Sequence, residues 1–229
     1  MSALAGRLAV VTGASRGIGA AVAAALATAG ARIVGVSRSA GAPSAGRHVA
    51  CDVTDPGQVL ALARMVIEEE GVPDLLVNVA GTFSVAPFVD TEVAELQRQL
   101  AVNLVAPFAV VRAFLPAMLA AGRGHLIAIG SVADHVGFPD NSAYTASKYG
   151  LRGMHEALRA ELRGSGVRAT LVSPGATDTA VWDPIDPDHR PGYPARAAML
   201  RPADVAEAIL FVASRPAHVD VDWLRLGPA

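Results

Sequence analysis

The chain has 229 residues, 52% of them hydrophobic, and a formal net charge of −2, which suits an α/β domain with a large core and excludes a disordered chain. This charge leaves no broad basic face, and no Lys/Arg cluster interleaves with aromatic residues, so we expect no nucleic-acid partner. The most apolar stretches, 20–36 and 108–121, are interrupted by Arg32 and by Arg112 with Pro116, so we expect no membrane span.

Cysteine and histidine usage argues against a disulfide or a metal centre. Cys51 is the only cysteine, which excludes an internal disulfide and a thiolate cluster. The six histidines show no ligand spacing, so no metal is expected. The first residues, MSALAGRLAVV, have too short a charged and apolar lead for a signal peptide. A cytoplasmic location is the resulting expectation.

Short runs rich in Val and Ile alternate with longer Ala/Leu segments, a pattern typical of repeated βαβ units. It predicts one α/β domain over 1–229, with a Rossmann-like, doubly wound parallel sheet of about seven strands and helices on both faces. The strands are expected at 8–12, 33–37, 48–51, 75–78, 125–129, 168–173 and 222–226. The helices are expected at 17–29, 56–70, 91–121 with a bend near Pro107, 143–164 and 202–214.

Two segments break this alternation. Between Arg38 and Arg47 there are only Ser, Ala, Gly and Pro, too few residues for the usual crossover helix. Residues 180–198 contain four prolines together with Trp182 and Tyr193, which predicts a long loop. Loops of this length in a compact domain are often lids or binding segments.

Residues 12–19 read TGASRGIG and follow the first predicted strand. Gly13 permits a tight turn, Gly17 lets a pyrophosphate approach the backbone, and Gly19 lets the helix pack close to the strand. An anion here meets free N–H groups and the positive end of the helix dipole. A glycine triad alone is weak evidence, but its position between a strand and an apolar helix predicts a dinucleotide site. The site comprises Gly13, Ser15, Arg16, Gly17, Ile18 and Gly19.

The end of the second strand carries Ser37 and Arg38 where an acidic residue usually binds the ribose hydroxyls of NAD. The guanidinium of Arg38 suits a 2′-phosphate, and Arg16 in the glycine turn can reach the same group. NADP(H) is therefore expected in preference to NAD(H). The alternative is that both arginines are ordinary surface groups. Asp52 either receives the adenine amino group or serves as a turn residue.

Tyr144 and Lys148 are four positions apart on a predicted helix, so they share one face. Ser131 precedes Tyr144 by 13 residues (144 − 131), enough for a loop to return to the mouth of the sheet. In carbonyl reduction, Tyr144 would protonate the oxygen while Ser131 orients it. This use of a phenol calls for a pKa about three units below ~10, with Lys148 and an oxidised nicotinamide as the source. Asn103 is expected to bridge Lys148 to water.

Each of these residues also has a purely structural interpretation. A Tyr-x-x-x-Lys pair is common on amphipathic helices, and Ser131 alone suits a turn. An asparagine in the middle of a helix, such as Asn103, is rarer and more suggestive.

Taken together, these segments are similar to those of the short-chain dehydrogenase/reductase family in its compact form. The resemblance rests on TGASRGIG, Asp52-Val53, DLLVNVAG at 74–81, Asn103, Ser131, YTASK at 144–148 and SPGATDT at 173–179, in this order. It implies a Ser-Tyr-Lys site supported by Asn103, a Pro-Gly loop whose backbone and Thr179 hold the nicotinamide carboxamide, and often a homotetramer. The other cofactor contacts that it implies are Val53, Asn78, Ala80, Gly81, Tyr144, Lys148, Pro174, Gly175 and Thr177.

The chain departs from the family pattern in three places. The usual N-N-A-G reads NVAG from Asn78, so only backbone contacts are expected at its second position. The crossover after the second strand is short. The last residues, WLRLGPA, lack the paired glycines that often close the family's ketoacyl reductases.

The leading hypothesis is an NADPH-dependent carbonyl reductase, or the reverse alcohol dehydrogenase, acting on a small or medium substrate as a homotetramer or homodimer. Its pocket is expected from 132–138, Asn141 and the loop 182–193. Asp134 and His135 are expected either to contact a polar group of the substrate or, as the preferred alternative, to face solvent. One alternative is 3-oxoacyl carrier-protein reduction, which needs a basic docking patch. An alternative of another class is a non-catalytic NADPH-binding sensor or regulator.

Overall fold

A computed structural model describes residues 3–39 and 46–229, and within them the chain forms seven strands and six α-helices. The strands are β1 (Leu8–Thr12), β2 (Arg32–Ser37), β3 (Arg47–Ala50), β4 (Leu75–Asn78), β5 (Gly124–Ile129), β6 (Val167–Pro174) and β7 (Trp223–Leu226). The helices are α1 (Gly17–Thr28), α2 (Pro56–Glu69), α3 (Val93–Leu100), α4 (Ala106–Ala120), α5 (Ser142–Glu161) and α6 (Pro202–Ala213). Each lies where the sequence predicts one, with ends displaced by three residues at most.

All seven strands are parallel, in the order β3-β2-β1-β4-β5-β6-β7. This confirms the predicted Rossmann-like sheet. After β3 the chain returns past β1 to begin β4, so the carboxyl ends of β1 and β4 border a crevice. The hydroxyl oxygen of Thr12 accepts hydrogen bonds from the N–H groups of Val79 (3.1 Å) and Ala80 (3.2 Å). These bonds hold the two strand ends together at the crevice.

Side chains alternate between the two faces of the sheet, so every strand contributes to both layers of the core. In β1, Val10 packs with α2 and α4, whereas Ala9 and Val11 pack on the other face with α1 and α6. Leu151 of α5 joins the first face through Leu171 of β6. Helices therefore cover both faces, as predicted.

The segment predicted as one helix over 91–121 changes geometry at its centre. Residues Ala101–Val105 form a π turn between α3 and α4. Pro107 has no N–H to donate to the carbonyl of Asn103, so regular α-helical bonding fails at this point. The interruption lies immediately before the proline at which the sequence predicts a bend.

By length and composition alone, the combined helix Val93–Ala120 could cross a membrane. Its inner side chains Phe114 and Met118 are completely buried in the core on the sheet. The helix is therefore accounted for as a core helix of this fold.

The two irregular segments differ in what the structure shows. Most of the short crossover at 38–47 falls on residues 40–45, which lie outside the described residues. The segment at 180–198 is a long loop with three short 3₁₀ turns, as predicted. Trp182 and Ile185 of this loop are buried with Met199, so the loop packs on the carboxyl edge of the sheet.

Candidate active site

The glycine turn between β1 and α1 packs closely on the end of β4. Gly13 has a φ of +69°, and a Cβ atom there would lie 2.8 Å from the backbone nitrogen of Ala80. A Cβ atom at Gly19 would collide with the carbonyl oxygen of Gly13. No side chain caps the start of α1 at Arg16, so its first N–H groups are available to an anion. The turn fits a pyrophosphate.

The end of β2 provides the cationic side of the site. Arg16 and Arg38 are exposed, line the same cavity, and form no ion pair with any described residue. The hydroxyl of Ser37 is buried, with the carbonyl oxygen of Ser39 at 3.0 Å and Nε2 of His48 at 2.9 Å. Two unpaired guanidinium groups are therefore available to a phosphate, whereas the serine hydroxyl is already engaged.

Asp52 is used by its own turn. Its Oδ1 accepts hydrogen bonds from the N–H (2.9 Å) and hydroxyl (2.7 Å) of Thr54. These bonds hold the pKa of Asp52 below its usual value, and the nearby charge of Arg38 lowers it further. Asp52 therefore serves as a turn residue, one of the two roles that the sequence predicts for it, and its Oδ1 is already used by Thr54.

Ser131 and Tyr144 meet at the carboxyl end of β5. Ser131 follows β5 and begins a short 3₁₀ turn, in which its Oγ accepts a hydrogen bond from the N–H of Ala133 at 3.1 Å. The Ser131 side chain also lies close enough to the Tyr144 phenol to lower its pKa. The ring of Phe83 packs edge-on against Tyr144, with centroids 4.8 Å apart. The Ser131 and Tyr144 hydroxyls therefore lie near each other beside the cavity.

The pKa values of Tyr144 and Lys148 are set mainly by burial. Burial raises the pKa of Tyr144 to about 12, against the lowering effect of Ser131. Burial also lowers the pKa of Lys148 to about 8. Lys148 Nζ donates to the carbonyl of Ile129 at 2.9 Å and lies 5.7 Å from the Tyr144 ring centroid. Within the protein chain alone, desolvation outweighs the lowering effect of Ser131 on the pKa of Tyr144. The lowering that the sequence predicts also requires the charge of the oxidised nicotinamide and stays a prediction.

Asn103 is buried in the π turn, and its side chain joins two segments of the chain by hydrogen bonds. Its Nδ2 donates to the carbonyl of Thr82 (2.9 Å) and to Oγ of Ser147 (3.0 Å), and its Oδ1 accepts from the N–H of Thr82 (2.9 Å). Ser147 in turn donates to the carbonyl of Tyr144 at 2.7 Å. The side chain ties the segment after β4 to the helix of Tyr144. The expected bridge from Asn103 to Lys148 and water stays a prediction.

The loop after β6 closes the site above the glycine turn. The N–H of Gly175 donates to the carbonyl of Leu226 at 2.8 Å, and the hydroxyl of Thr177 donates to the carbonyl of Gly175 at 3.0 Å. A Cβ atom at Gly17 would lie 3.2 Å from the methyl carbon of Thr179. The loop therefore reaches the glycine turn.

One continuous cavity of about 1690 Å³ runs along the carboxyl edge of the sheet. Asn78 lies outside it, in a closed recess with Thr12 and Pro107 beneath α4, so the structure does not support Asn78 as a cofactor contact. All other predicted site residues line the cavity, namely Gly13, Ser15, Arg16, Gly17, Ile18, Gly19, Ser37, Arg38, Asp52, Val53, Ala80, Gly81, Asn103, Ser131, Tyr144, Lys148, Pro174, Gly175, Thr177 and Thr179.

An aromatic wall forms one side of the cavity near Tyr144. The rings of Phe83 and Trp182 pack edge-on with centroids 4.9 Å apart, and Tyr193 lies 6.3 Å from Trp182. Trp182 is held by a hydrogen bond from its Nε1 to the carbonyl of Thr177 at 3.1 Å. Sequence reasoning identified the loop but missed Phe83, which has no motif to mark it.

The expectation that Asp134 faces solvent is wrong, because its side chain is fully buried. His135 is half-buried and lines the cavity. The sequence carried a signal for this arrangement: residues 131–134 read SVAD, the S-x-x-D spacing of a capping box. The structure forms that capping box around Ser131.

A family model for short chain dehydrogenases matches residues 7–190. The chain belongs to this short-chain dehydrogenase family. The members are oxidoreductases that act on alcohol or carbonyl groups with a nicotinamide cofactor, and the glycine cradle of this chain fits that cofactor.

Relatives of known name act on different compounds. The chain is 37% identical over 98% of its length to the glycine betaine reductase ATRR of Emericella nidulans, and it spans 19% of that relative. It is 37% identical to a D-threitol dehydrogenase of Mycolicibacterium smegmatis, over 91% of this chain and 86% of the relative.

Solved structures give the same family and the same fold. A metagenomic short-chain oxidoreductase in complex with NADP is 36% identical, with a TM-score of 0.82 over 100% of this chain and 99% of the other. An alcohol dehydrogenase of Thermococcus sibiricus, complexed with 5-hydroxy-NADP, is 26% identical, with a TM-score of 0.85 over 97% of each chain.

Proposed function

We propose that this short-chain dehydrogenase reduces a carbonyl to an alcohol with NADPH, or runs the reverse reaction, and that Ser131, Tyr144, Lys148 and Asn103 carry the chemistry. The observation that supports it most is the joint position of the Ser131 and Tyr144 hydroxyls and buried Lys148 on the cavity that also holds the glycine turn. A sensor that only binds the cofactor has no need of these proton-transfer groups.

The cofactor, when bound, supplies the hydride, and the chain supplies the proton and the geometry. Tyr144 acts as the acid: its raised pKa keeps the phenol protonated at neutral pH, as donation to a carbonyl oxygen requires. Ser131 hydrogen-bonds the same oxygen and orients it. Lys148, a cation buried beside Tyr144, stabilises the phenolate that remains after proton transfer. Asn103 keeps the Tyr144 helix in place through Ser147.

NADP(H) is proposed in preference to NAD(H) because of Arg16 and Arg38. Both guanidinium groups reach the cavity and are without ion pairs in the described part of the chain, so their charge is free for a 2′-phosphate. The two solved relatives with NADP or its 5-hydroxy form are in accord with this choice.

The substrate is proposed to be a small or medium carbonyl or alcohol compound. The cavity offers an apolar face at Phe83 and Trp182 and a polar one at His135. The relatives named for glycine betaine and D-threitol are named for small polar compounds. No feature of residues 3–39 and 46–229 favours the acidic carrier protein of 3-oxoacyl reduction.

The test is NADPH oxidation by the purified protein, followed at 25 °C against aldehydes, ketones, keto acids and 3-oxoacyl thioesters, with NADH in parallel. We expect turnover of at least one small carbonyl compound and a faster reaction with NADPH. Tight NADPH binding without turnover of any compound would favour the sensor. Turnover of only the thioesters would favour the carrier-protein alternative.

We also propose a cytoplasmic homotetramer or homodimer. The helical segment 93–120 exposes apolar side chains, including Val93 (70% exposed), Val105 (53%) and Phe108 (54%), and exposed apolar surface is what an interface between subunits would cover. Sedimentation equilibrium of the wild type and of Phe108→Glu tests this. We expect an oligomer that the charge weakens, and a monomeric wild type would contradict it.

A further inference from the structure

The carboxylate of Asp134 is a fully buried anion. It belongs to the short 3₁₀ turn at 131–134 that Ser131 begins, which we call the catalytic turn. Its Oδ2 accepts hydrogen bonds from the N–H of Ser131 at 3.1 Å and from the hydroxyl of Ser173. Its Oδ1 accepts one from Nδ1 of His135 at 2.7 Å. A buried carboxylate is costly unless donors satisfy it, and here each donor comes from a residue that lines the cavity.

These bonds connect the catalytic turn, which follows β5, to the neighbouring strand β6. Ser173 lies in β6, directly before Pro174, and its hydroxyl oxygen also accepts a hydrogen bond from Nε1 of Trp223 in β7 at 2.8 Å. The space around the carboxylate is tight, since a Cβ atom at Gly130 would collide with it. Asp134 therefore links the turn after β5 to β6 and, through Ser173, to β7, in a region without room for an added side chain.

We propose that Asp134 is a positioning residue of this active site: its carboxylate holds the Ser131 backbone against the end of β6 and so fixes the Ser131 hydroxyl beside Tyr144. The inference rests on the proposed function, which assigns the reaction to Ser131 and Tyr144. Asp134 itself does not touch the reacting atoms, so it acts through the serine.

The negative charge of Asp134 has a second effect that can be measured. It raises the pKa values of both Tyr144 and Lys148. Other charged or titratable groups that line the same cavity or contact the catalytic turn include Lys148, Arg152, His135, Arg98, Asp140, Tyr193 and Arg225. Removal of the Asp134 charge therefore lowers the pKa of Tyr144.

Two variants separate geometry from charge, and a third serves as the matched control. Asp134→Asn keeps an oxygen acceptor for Ser131 but removes the charge. Asp134→Ala removes both and leaves the Ser131 N–H and the Ser173 hydroxyl without their partner. Asp74→Asn is the control, because Asp74 also accepts a backbone hydrogen bond, from Leu8 at 2.9 Å, but lies at the opposite edge of the sheet.

For Asp134→Ala we expect kcat to fall roughly ten- to hundredfold, since small displacements of a positioned group have effects of this size, with little change in the KM for NADPH. For Asp134→Asn we expect a smaller loss, with the alkaline decline of the reduction rate moved to lower pH. Asp74→Asn should keep the wild-type kcat and pH profile. Crystal structures of both Asp134 variants supply a readout that does not depend on turnover.

Wild-type kcat in folded Asp134→Ala, or a Ser131 hydroxyl unmoved in its crystal structure, would overturn the inference. If the alanine variant does not fold, wild-type kcat together with an unshifted pH profile in Asp134→Asn overturns it. Wild-type protein without any turnover contradicts the proposed function instead. In that case the crystal structures of Asp134→Ala and of the wild type still test the inference, because a displaced Ser131 hydroxyl is expected in the variant and an unmoved one contradicts it.

Discussion

The two edges of the parallel sheet use polar side chains in opposite ways. At the amino edge they are paired within the protein: Asp74 accepts a hydrogen bond from the N–H of Leu8 and pairs with Arg123. Arg168 of β6 donates to the carbonyls of Pro216 and Val219. These groups close the end of the fold and leave little for a ligand.

At the carboxyl edge, several polar groups have neither a side-chain cap nor a partner of opposite charge among the described residues. The start of α1 has no side-chain cap. Arg16 and Arg38 form no ion pair in the part of the chain that the structure describes, and Lys148 is buried with a carbonyl oxygen as its hydrogen-bond partner. Unpaired donors and cations on one cavity are what an anionic cofactor needs, so the contrast locates the site. Asp134 differs from these groups, because both of its carboxylate oxygens already accept hydrogen bonds from protein groups.

The largest effect is expected from Tyr144→Phe. It removes only the phenol oxygen, so kcat should fall by about 10²- to 10⁴-fold because proton donation is lost, while NADPH binding remains. Steady-state kinetics and NADPH fluorescence titration measure the two quantities. Tyr149→Phe is the matched control on the same helix, since Tyr149 is 44% exposed and should be replaceable without loss. Full activity of Tyr144→Phe would remove the acid from the proposal.

A Cβ atom in the glycine turn should have the next largest effect. Gly13→Ala combines an unfavourable φ of +69° with a contact of 2.8 Å to the Ala80 backbone. We expect a loss of about 1–3 kcal/mol in the free energy of unfolding and weaker NADPH binding. Urea denaturation and NADPH titration measure these.

Gly153→Ala is the control for that change. A Cβ atom at Gly153 meets nothing within 4 Å, and the residue lies inside α5. Alanine should therefore stabilise the helix by about 0.5–1 kcal/mol. Equal effects of Gly13→Ala and Gly153→Ala would show that the turn is not packed as described.

Arg38→Ala should weaken NADPH binding but not NADH binding. Loss of a hydrogen bond to a charged group costs about 1.5–3 kcal/mol, so the Kd for NADPH should rise roughly tenfold or more. Arg64→Ala, at an exposed residue of α2, is the control. An equal rise in the Kd values for NADPH and NADH would mean that Arg38 does not bind the 2′-phosphate.

The sequence predicted the elements, their faces and the glycine turn because these depend on local periodicity and on residue types at fixed spacing. It does not determine what distant neighbours decide. The direction of Asn78 depends on which face of β4 it occupies, and the pKa of Tyr144 depends on how much burial surrounds it. The partners of Asn103 and the burial of Asp134 depend on β6 and on the segment after β4, which single-sequence patterns do not place.

A separate prediction concerns acid stability and two buried histidines outside the cavity. Burial lowers the pKa of His125 to about 3 and of His155 to about 4, whereas the unfolded value is ~6.5. The unfolded chain then binds more protons below that pH, so stability is full above pH ~6.5 and falls as the pH drops toward 4. The expected slope is at most about 1.4 kcal/mol per pH unit for each histidine.

Urea denaturation at several pH values between 7.5 and 4.5 measures this slope. His125→Gln should make it shallower, because the remaining titration is that of His155. His218→Gln, at an exposed residue, is the control and should leave the slope as in the wild type. An unchanged slope in His125→Gln would show that this histidine does not titrate on unfolding.

The most direct test of the open carboxyl edge as a catalytic site is isotope transfer from NADPH that carries deuterium at both positions of nicotinamide C4. The wild-type protein is incubated with a carbonyl compound that it turns over, and the product is analysed by mass spectrometry. We expect one deuterium at the new alcohol carbon for each NADPH consumed, and almost none with Tyr144→Phe. Consumption of NADPH without deuterium in the product, or equal transfer by Tyr144→Phe, would contradict hydride transfer with Tyr144 as the proton donor.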